Sequence, residues 1–203
     1  MAIGQRLPMI DGVARVTGSL GYTLDLELPR MVHARILRSP HAHARVTRVD
    51  ASRAARLPGV AAVLTRDDLL DRADVFPTFG LFIRDQAPVA LDKVRHVGDP
   101  VAAVAAVDEA TAEEALSLIE VDYVPLPAVF DVAAALEPGA PVLHEGARSL
   151  SSRRPDILAR QPGFEGTNVI HLFSQRRGDV EAGFAAAHTI VEGVYDSPPR
   201  STL

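Results

Sequence analysis

Two stretches of this chain repeat one pattern, and that pattern limits the fold more than any other feature. Each opens on a turn signal, Pro58-Gly59 in one and Gly98-Asp99-Pro100 in the other. Each continues as a short apolar run, Val60-Ala61-Ala62-Val63-Leu64 and Val101-Ala102-Ala103-Val104-Ala105. Short apolar runs bounded by turn residues read as buried strands, and a helix signal follows each. After the first, Thr65 stands three residues before Asp68, a capping arrangement in which Asp replaces the usual Glu or Gln. After the second, a helix is expected over 109–120. Ala112, Ala115, Leu116 and Ile119 repeat there at helical spacing, with Glu109, Glu113, Glu114 and Glu120 largely off the stripe. Asp108 caps this helix if it starts early, Thr111 with Glu114 if it starts late. An ancient repeat is the less favoured explanation of the likeness, because short strand–helix units converge easily.

Around these units the signals are shorter. Residues 11–29 mix Gly12, Gly18 and Gly21 with Val16, Tyr22 and Leu24 and read as a glycine-punctuated lead-in with a short strand. Residues 31–38 suit a strand with Val32, Ala34 and Ile36 on one face, interrupted by Ser39-Pro40. A second strand over 44–49 follows closely enough to pair with it as a hairpin. Residues 121–124 form a strand ended by Pro125-Leu126-Pro127, and a helical turn over 131–136 stops at Pro138-Gly139. From 145 to 168 periodicity is lost and Arg148, Arg153, Arg154 and Arg160 make a basic linker or long surface loop. An amphipathic helix over 178–187 and an alternating strand over 190–195 then read as the opening of a new unit.

Composition narrows the function. The 203 residues suffice for one or two small domains, and a formal net charge of -5 gives no reason to expect nucleic acid or an anionic membrane as partner. With Cys 0, the chain cannot form disulfides, thiolate nucleophiles, Cys-ligated zinc or iron–sulfur ligation. With Trp 0, a stacking platform is disfavoured. Residues 1–11 lack a secretory apolar core, and the longest clean apolar run, 101–107, is far below the roughly 18 residues of a membrane span. A soluble, cytoplasmic chain is expected.

Candidate chemistry is thin. His41 and His43 lie two apart on extended chain with His33 upstream, so three imidazoles could bind one zinc; Pro40 and the expected turn disfavour that geometry. Asp67-Asp68 and Glu113-Glu114 are adjacent on helices and point in different directions, as solvated faces do. Gly98-Asp99-Pro100 reads as a turn, Ser39 is the only serine near a histidine, and Arg153, Arg154 and Arg160 suit a solvated linker or docking surface better than an anion site. There is no dinucleotide fingerprint, phosphate loop or nucleophile elbow. No residue is nominated as catalytic, cofactor-binding or metal-ligating. The residues alone support an α+β binding or assembly module.

Whole phrases say more. Asp11-Gly12, Val16-Thr17-Gly18, Tyr22 and Asp25, then Ser39-Pro40-His41-Ala42 and Asp50, resemble the opening of the large subunits of the xanthine dehydrogenase and aldehyde oxidase family. The likeness continues through Pro58-Gly59-Val60, Val63, Thr65 and Asp68, and through Val94 with Val97-Gly98-Asp99-Pro100-Val101-Ala102. Ala112, Ala115, Val121, Tyr123, Pro125-Leu126-Pro127, Asp131 and Ala135-Leu136 keep the same order. The resemblance implies an α/β hammerhead domain over 11–144. It resumes at Asn168 and Gly178-Asp179-Val180 through Phe184, Ala187, Val191, Glu192 and Tyr195. This implies a linker over 145–177 and the beginning of a first molybdopterin-binding domain, incomplete, over 178–203.

Such enzymes hydroxylate a heterocycle or aldehyde-type substrate with oxygen from water, using molybdenum on a pterin cytosine or guanine dinucleotide. Iron–sulfur clusters, and usually FAD, sit on partner subunits or domains. The resemblance implies that the cofactor loops and the catalytic glutamate lie C-terminal to the matched stretch. This chain is then a structural part, inactive alone and binding no cofactor alone. Its partners would be the remaining molybdopterin-binding part of the large subunit, if separately encoded, and the iron–sulfur and FAD subunits. Two alternatives stay open: a free-standing binding or assembly module, and a small hydrolase using His33, His41 and His43.

Overall fold

The computed structural model describes residues 4, 6–72, 74, 77–80, 86–145, 166–169, 175 and 177–195. It begins with α1 (Gly12–Thr17) and a 3-10 turn at Thr23–Asp25. Strands β1 (His33–Arg38) and β2 (Ala44–Asp50) follow, then β3 (Val60–Leu64) and α2 (Arg66–Leu70). Next come β4 (Lys93–Val94), β5 (Pro100–Ala106), α3 (Glu109–Ser117) and β6 (Glu120–Pro125), with α4 (Val180–Ala186) near the end of the described chain. None of the helices formed by described residues is long and apolar enough to cross a membrane.

The strands make two three-stranded antiparallel sheets, ordered β1-β5-β3 and β4-β2-β6. In the first, β5 is central: Ala34 faces Ala105 on one side, and Ala62 faces Ala105 on the other. Strand β5 is alanine-rich and buried over most of its length. Its Ala102 and Val104 join Ala54, Ala115 and Ile119 in one core cluster, while Val101 joins Ala44, Val46, Ala90 and Val94 in the other. Val49 and Val121 pack against both clusters and so bind the two sheets into one interior. Small residues on β5 and on the inner face of α3, where Ala112 and Ala115 are fully buried, let helix and sheet approach closely.

Local chemistry sets the helix starts. The Asp108 carboxylate accepts the Thr111 amide at 2.7 Å, so the early start of α3 is the one adopted. That hydrogen bond is the main reason the Asp108 carboxyl titrates below its ordinary value. At α2, the Asp68 carboxylate accepts both the amide (2.7 Å) and the hydroxyl (3.0 Å) of Thr65, so Asp serves where Glu or Gln is commoner. Gly59 turns at φ +94, where a Cβ would stand 3.0 Å from a Val107 methyl. Backbone conformation and space both demand glycine there.

Three expectations need correction. Residues 12–17 are helical, closed by Gly18 in the left-handed region at φ 72, and no strand lies within 11–29. An Asp11–Arg15 ion pair at 2.7 Å, at helical spacing, supports that turn. Strands β1 and β2 do not form a hairpin, since β1 pairs with β5 and β2 with β4 and β6. Residues 39–43 carry the chain from one sheet to the other, held where Ser39 exchanges backbone hydrogen bonds with Gly98 and Asp99. Residues 190–195 are not a strand: they pair with no described strand, and alternation without a ladder partner leaves the backbone unpaired. The two strand–helix units are real, and β3 and β5 are antiparallel neighbours.

Candidate functional site

A buried cation lies beside a cavity at β4. A cavity of about 780 Å³ is walled by Phe79, Gln86, Lys93, Arg95, Asp99 and Glu145, among others. The Lys93 side chain is only 2% exposed, and its ammonium lies 2.9 Å from a Glu145 carboxylate oxygen. A buried ammonium is tolerated when a counter-charge and hydrogen bonds meet it. The hydrogen bond from Lys93 is the principal reason the Glu145 carboxyl is held below its ordinary value.

Arg95 closes the same wall. Its Nε donates to the Leu143 carbonyl at 2.8 Å and its Nη1 to the Lys93 carbonyl at 3.2 Å. The Asp99 carboxylate accepts the Arg95 amide at 2.8 Å, and Gly98 donates its amide to Ser39. Segment 142–145 is therefore stitched over β4 by two cations. Asn168 adds a third tie: its Oδ1 accepts the Leu143 amide at 2.9 Å, and its Nδ2 donates to the Ala135 and Pro141 carbonyls. One amide thus meets three backbone groups across a wide stretch of sequence. Each of these polar groups satisfies backbone or charge, and none is set as a nucleophile beside a base.

The histidines are dispersed among different partners. His33 lies 3.9 Å from the Glu109 carboxylate, and the His41 ring tilts against Tyr123 with centroids 4.7 Å apart. His43 is 6% exposed, and its Nδ1 meets the Pro127 carbonyl at 2.6 Å. A carbonyl only accepts, so Nδ1 carries the proton, and the buried Nε2 lone pair has no partner among the described residues. Among the described residues, no three His, Asp or Glu side chains converge as a metal site would require. Ser39 exchanges hydrogen bonds with the backbone of His41, in the manner of a turn. Asp67-Asp68 and Glu113-Glu114 are exposed, apart from the Asp68 cap. Arg148, Arg153, Arg154 and Arg160 lie outside the described residues.

Sequence reasoning missed Lys93–Glu145, Arg66 and the ties of Asn168. Arg66 is largely buried and donates to the carbonyls of Val46 (2.6 Å), Thr47 (3.0 Å) and Leu91 (3.3 Å). Two of these carbonyls lie where the β2–β6 register shifts between Val46 and Arg48. A bulge leaves backbone groups without ladder partners, and the guanidinium supplies them. A lone cation next to a capping threonine gives no sequence signal of this.

The chain matches the family model of aldehyde oxidase and xanthine dehydrogenase, a/b hammerhead domain, over residues 17–127. It is 38% identical over 190 residues to a probable xanthine dehydrogenase polypeptide of Bacillus subtilis, covering 93% of this chain and 22% of that protein. It is 29% identical to the nicotinate dehydrogenase large molybdopterin subunit of Eubacterium barkeri, covering 96% of this chain and 40% of that one. The crystal structure of Cu,Mo-CO dehydrogenase in its carbon monoxide reduced state superposes with a TM-score of 0.62 at 40% identity, over 70% of this chain and 18% of that one. The chain thus spans between about a fifth and two fifths of the length of these relatives. With its two sheets bridged through β5 and its helix capped at Asp108, it belongs to the aldehyde oxidase and xanthine dehydrogenase a/b hammerhead family.

Proposed function

We propose that this chain is the N-terminal structural part of the large subunit of a molybdenum hydroxylase, and that the chemistry resides in polypeptide beyond it. One observation carries the reading: the likeness runs through 93% of this chain yet accounts for only 22% of the Bacillus relative. The polar interior agrees, because Lys93, Arg95, Arg66 and Asn168 act on backbone groups or on neighbouring carboxylates. The much shorter Eubacterium relative, of which the chain covers 40%, supports a large subunit built from more than one polypeptide.

The complete enzyme would hydroxylate a heterocycle or aldehyde-type substrate with oxygen from water. Molybdenum on a pterin dinucleotide would supply the two-electron chemistry when bound, and iron–sulfur and FAD components would take the electrons onward. Among the described residues no His, Asp or Glu cluster could ligate a metal, and the chain has no cysteine for an iron–sulfur cluster, so no step of that chemistry is assigned to them. Its partners are then the remaining molybdopterin-binding polypeptide and the iron–sulfur and FAD subunits. In this reading residues 11–144 form the hammerhead and residues 178–203 open the next domain. The exposure of Val180 and Phe184 on α4 supports that division, since an amphipathic helix without a cover belongs to a larger unit.

The test is a tagged pull-down from the native host, with native mass and molybdenum analysis of the product. A larger chain recovered with stoichiometric molybdenum is the expected result. The bare chain without metal would overturn the reading in favour of a free-standing module.

A further inference from the structure

The residues before β1 combine an apolar composition with an exposed environment. From position 6 to position 32 none is buried, yet the stretch is rich in large apolar side chains. Ile10, Val16 and Leu24 are 106%, 85% and 98% exposed, and Val13, Leu26 and Leu28 are also exposed. A scattered exposed leucine is ordinary, but contiguous apolar surface on this scale marks an interface.

The stretch is nonetheless shaped. Helix α1 is closed by Gly18, whose amide donates to Arg15, and Ser19 and Leu20 both donate back to the Ala14 carbonyl. The 3-10 turn is fixed by Asp25, which accepts the Tyr22 amide at 2.8 Å. Among the described residues the hydrogen bonds of the stretch are all local. The result is an arm with its own bends and, among its described residues, no buried side chain.

We infer that this arm is the seam along which the chain docks into an apolar groove on the remaining part of the large-subunit polypeptide, an inference that rests on the function proposed above. One observation chooses that occupant over a second copy, and another sets the character of the contact. The Bacillus subtilis relative, which matches 93% of this chain, carries several times as much polypeptide besides, enough to enclose an arm on several sides. The arm's charges also balance, since Arg6, Arg15 and Arg30 match Asp11, Asp25 and Glu27 in number, and Asp11 pairs with Arg15 at 2.7 Å. The arm therefore presents no net charge to its partner, and apolar contact carries the association. Val13 and Val16 lie three apart on one face of α1, and Leu24, Leu26 and Leu28 alternate beyond it, so the groove follows a bent path.

The experiment co-expresses the full chain with the Bacillus subtilis relative lacking its matching region, and uses the relative's own matching piece as the control for a folded recipient. Alongside wild type stands the variant Val13→Ser/Val16→Ser/Leu24→Ser. These side chains are exposed, so hydrogen exchange across β1 to β6 should be unchanged. The expected result is capture by wild type and at least about ten-fold weaker capture by the variant, since a docking seam concentrates binding in its apolar anchors. Equal capture of both would overturn the seam and leave the proposed function standing. If the control binds and wild type does not, both fall. A wild-type dimer that the variant converts to monomer, with capture unaffected, would assign the arm to a second copy and overturn the inference.

Discussion

Lys93 is almost wholly enclosed, yet the Glu145 carboxylate that meets it at 2.9 Å is two-thirds exposed. The pair thus joins an interior cation to a surface anion, and its members are unequal. Removing the carboxylate strands a buried charge; removing the cation does not. Glu145→Gln should cost about 1–3 kcal/mol, and Lys93→Met less than about 1.5 kcal/mol, because an unbranched apolar chain of similar volume replaces the stem. Urea denaturation of the two variants measures the asymmetry, and equal losses would show that the pair is held for its own attraction.

The same pair sets a pH dependence. The Glu145 carboxyl is lowered in the folded chain from an ordinary value of 4.5, with Lys93 as the main cause. A depressed carboxyl binds its proton less readily when folded, so its contribution is full above 4.5 and is lost as pH falls through the lowered folded value. Stability measured from pH 6 down to pH 3 should fall less steeply in Glu145→Gln than in wild type. Parallel curves would contradict the assignment.

Arg66 offers a second cation, whose two terminal nitrogens act on the backbone while its Nε faces the Asp67 carboxylate at 3.6 Å. Arg66→Ala frees the carbonyls of Val46, Thr47 and Leu91 at once and should cost about 2–4 kcal/mol, the scale of several charge-assisted bonds to half-buried acceptors. Arg66→Lys should recover only part of this, because an ammonium lacks the fork that reaches carbonyls on both sides of the bulge. Full recovery by lysine in chemical denaturation would reduce the role to charge alone.

His43 predicts a spectroscopic state. With Nδ1 donating to Pro127, its imidazole should be the Nδ1-protonated tautomer, readable from the ring nitrogen shifts in long-range NMR correlations. The separate partners of His33, His41 and His43 further predict that purified chain carries no stoichiometric zinc, and that His43→Ala leaves the metal content unchanged. Zinc at one equivalent, lost in His43→Ala, would revive the hydrolase alternative.

Packing between α3 and β5 should be equally unforgiving. Ala115 is fully enclosed in the cluster with Ala102 and Val104, so Ala115→Leu should cost about 1–3 kcal/mol through overpacking. A thermal melt close to wild type would mean that helix and strand can separate without penalty.

Much of this fold follows from short-range signals, and what escaped is long-range. Capping at Thr65 and Asp108, the run of β5 and the stripe of α3 all depend on neighbours a few positions apart, and each is present, but α3 stops at Ser117 rather than 120, leaving Ile119 beyond the helix and Glu120 at the start of β6. Pairing is different. Strand β1 lies beside β2 in sequence, but its partner is β5, with His33 opposite Ala106. The turn at 39–43 reads as a reversal because Pro40 breaks the strand; its hydrogen bonds to Gly98 and Asp99 have no local signal. Likewise Lys93 occupies a two-residue strand with no periodicity to betray its burial, which depends on segment 142–145 lying over it. Family membership was legible for the opposite reason, since it lay in ordered phrases that need no contact map.

The ties of Asn168 have a consequence in polymer terms. Its side-chain amide has two donor hydrogens and a carbonyl oxygen, and they meet Ala135, Pro141 and Leu143. The entropy of holding Asn168 to these groups grows only with the logarithm of their separation along the chain, each doubling adding about 0.6 kcal/mol. The clasp is therefore a cross-link whose strength is set by its three bonds and hardly at all by how far apart in sequence it reaches.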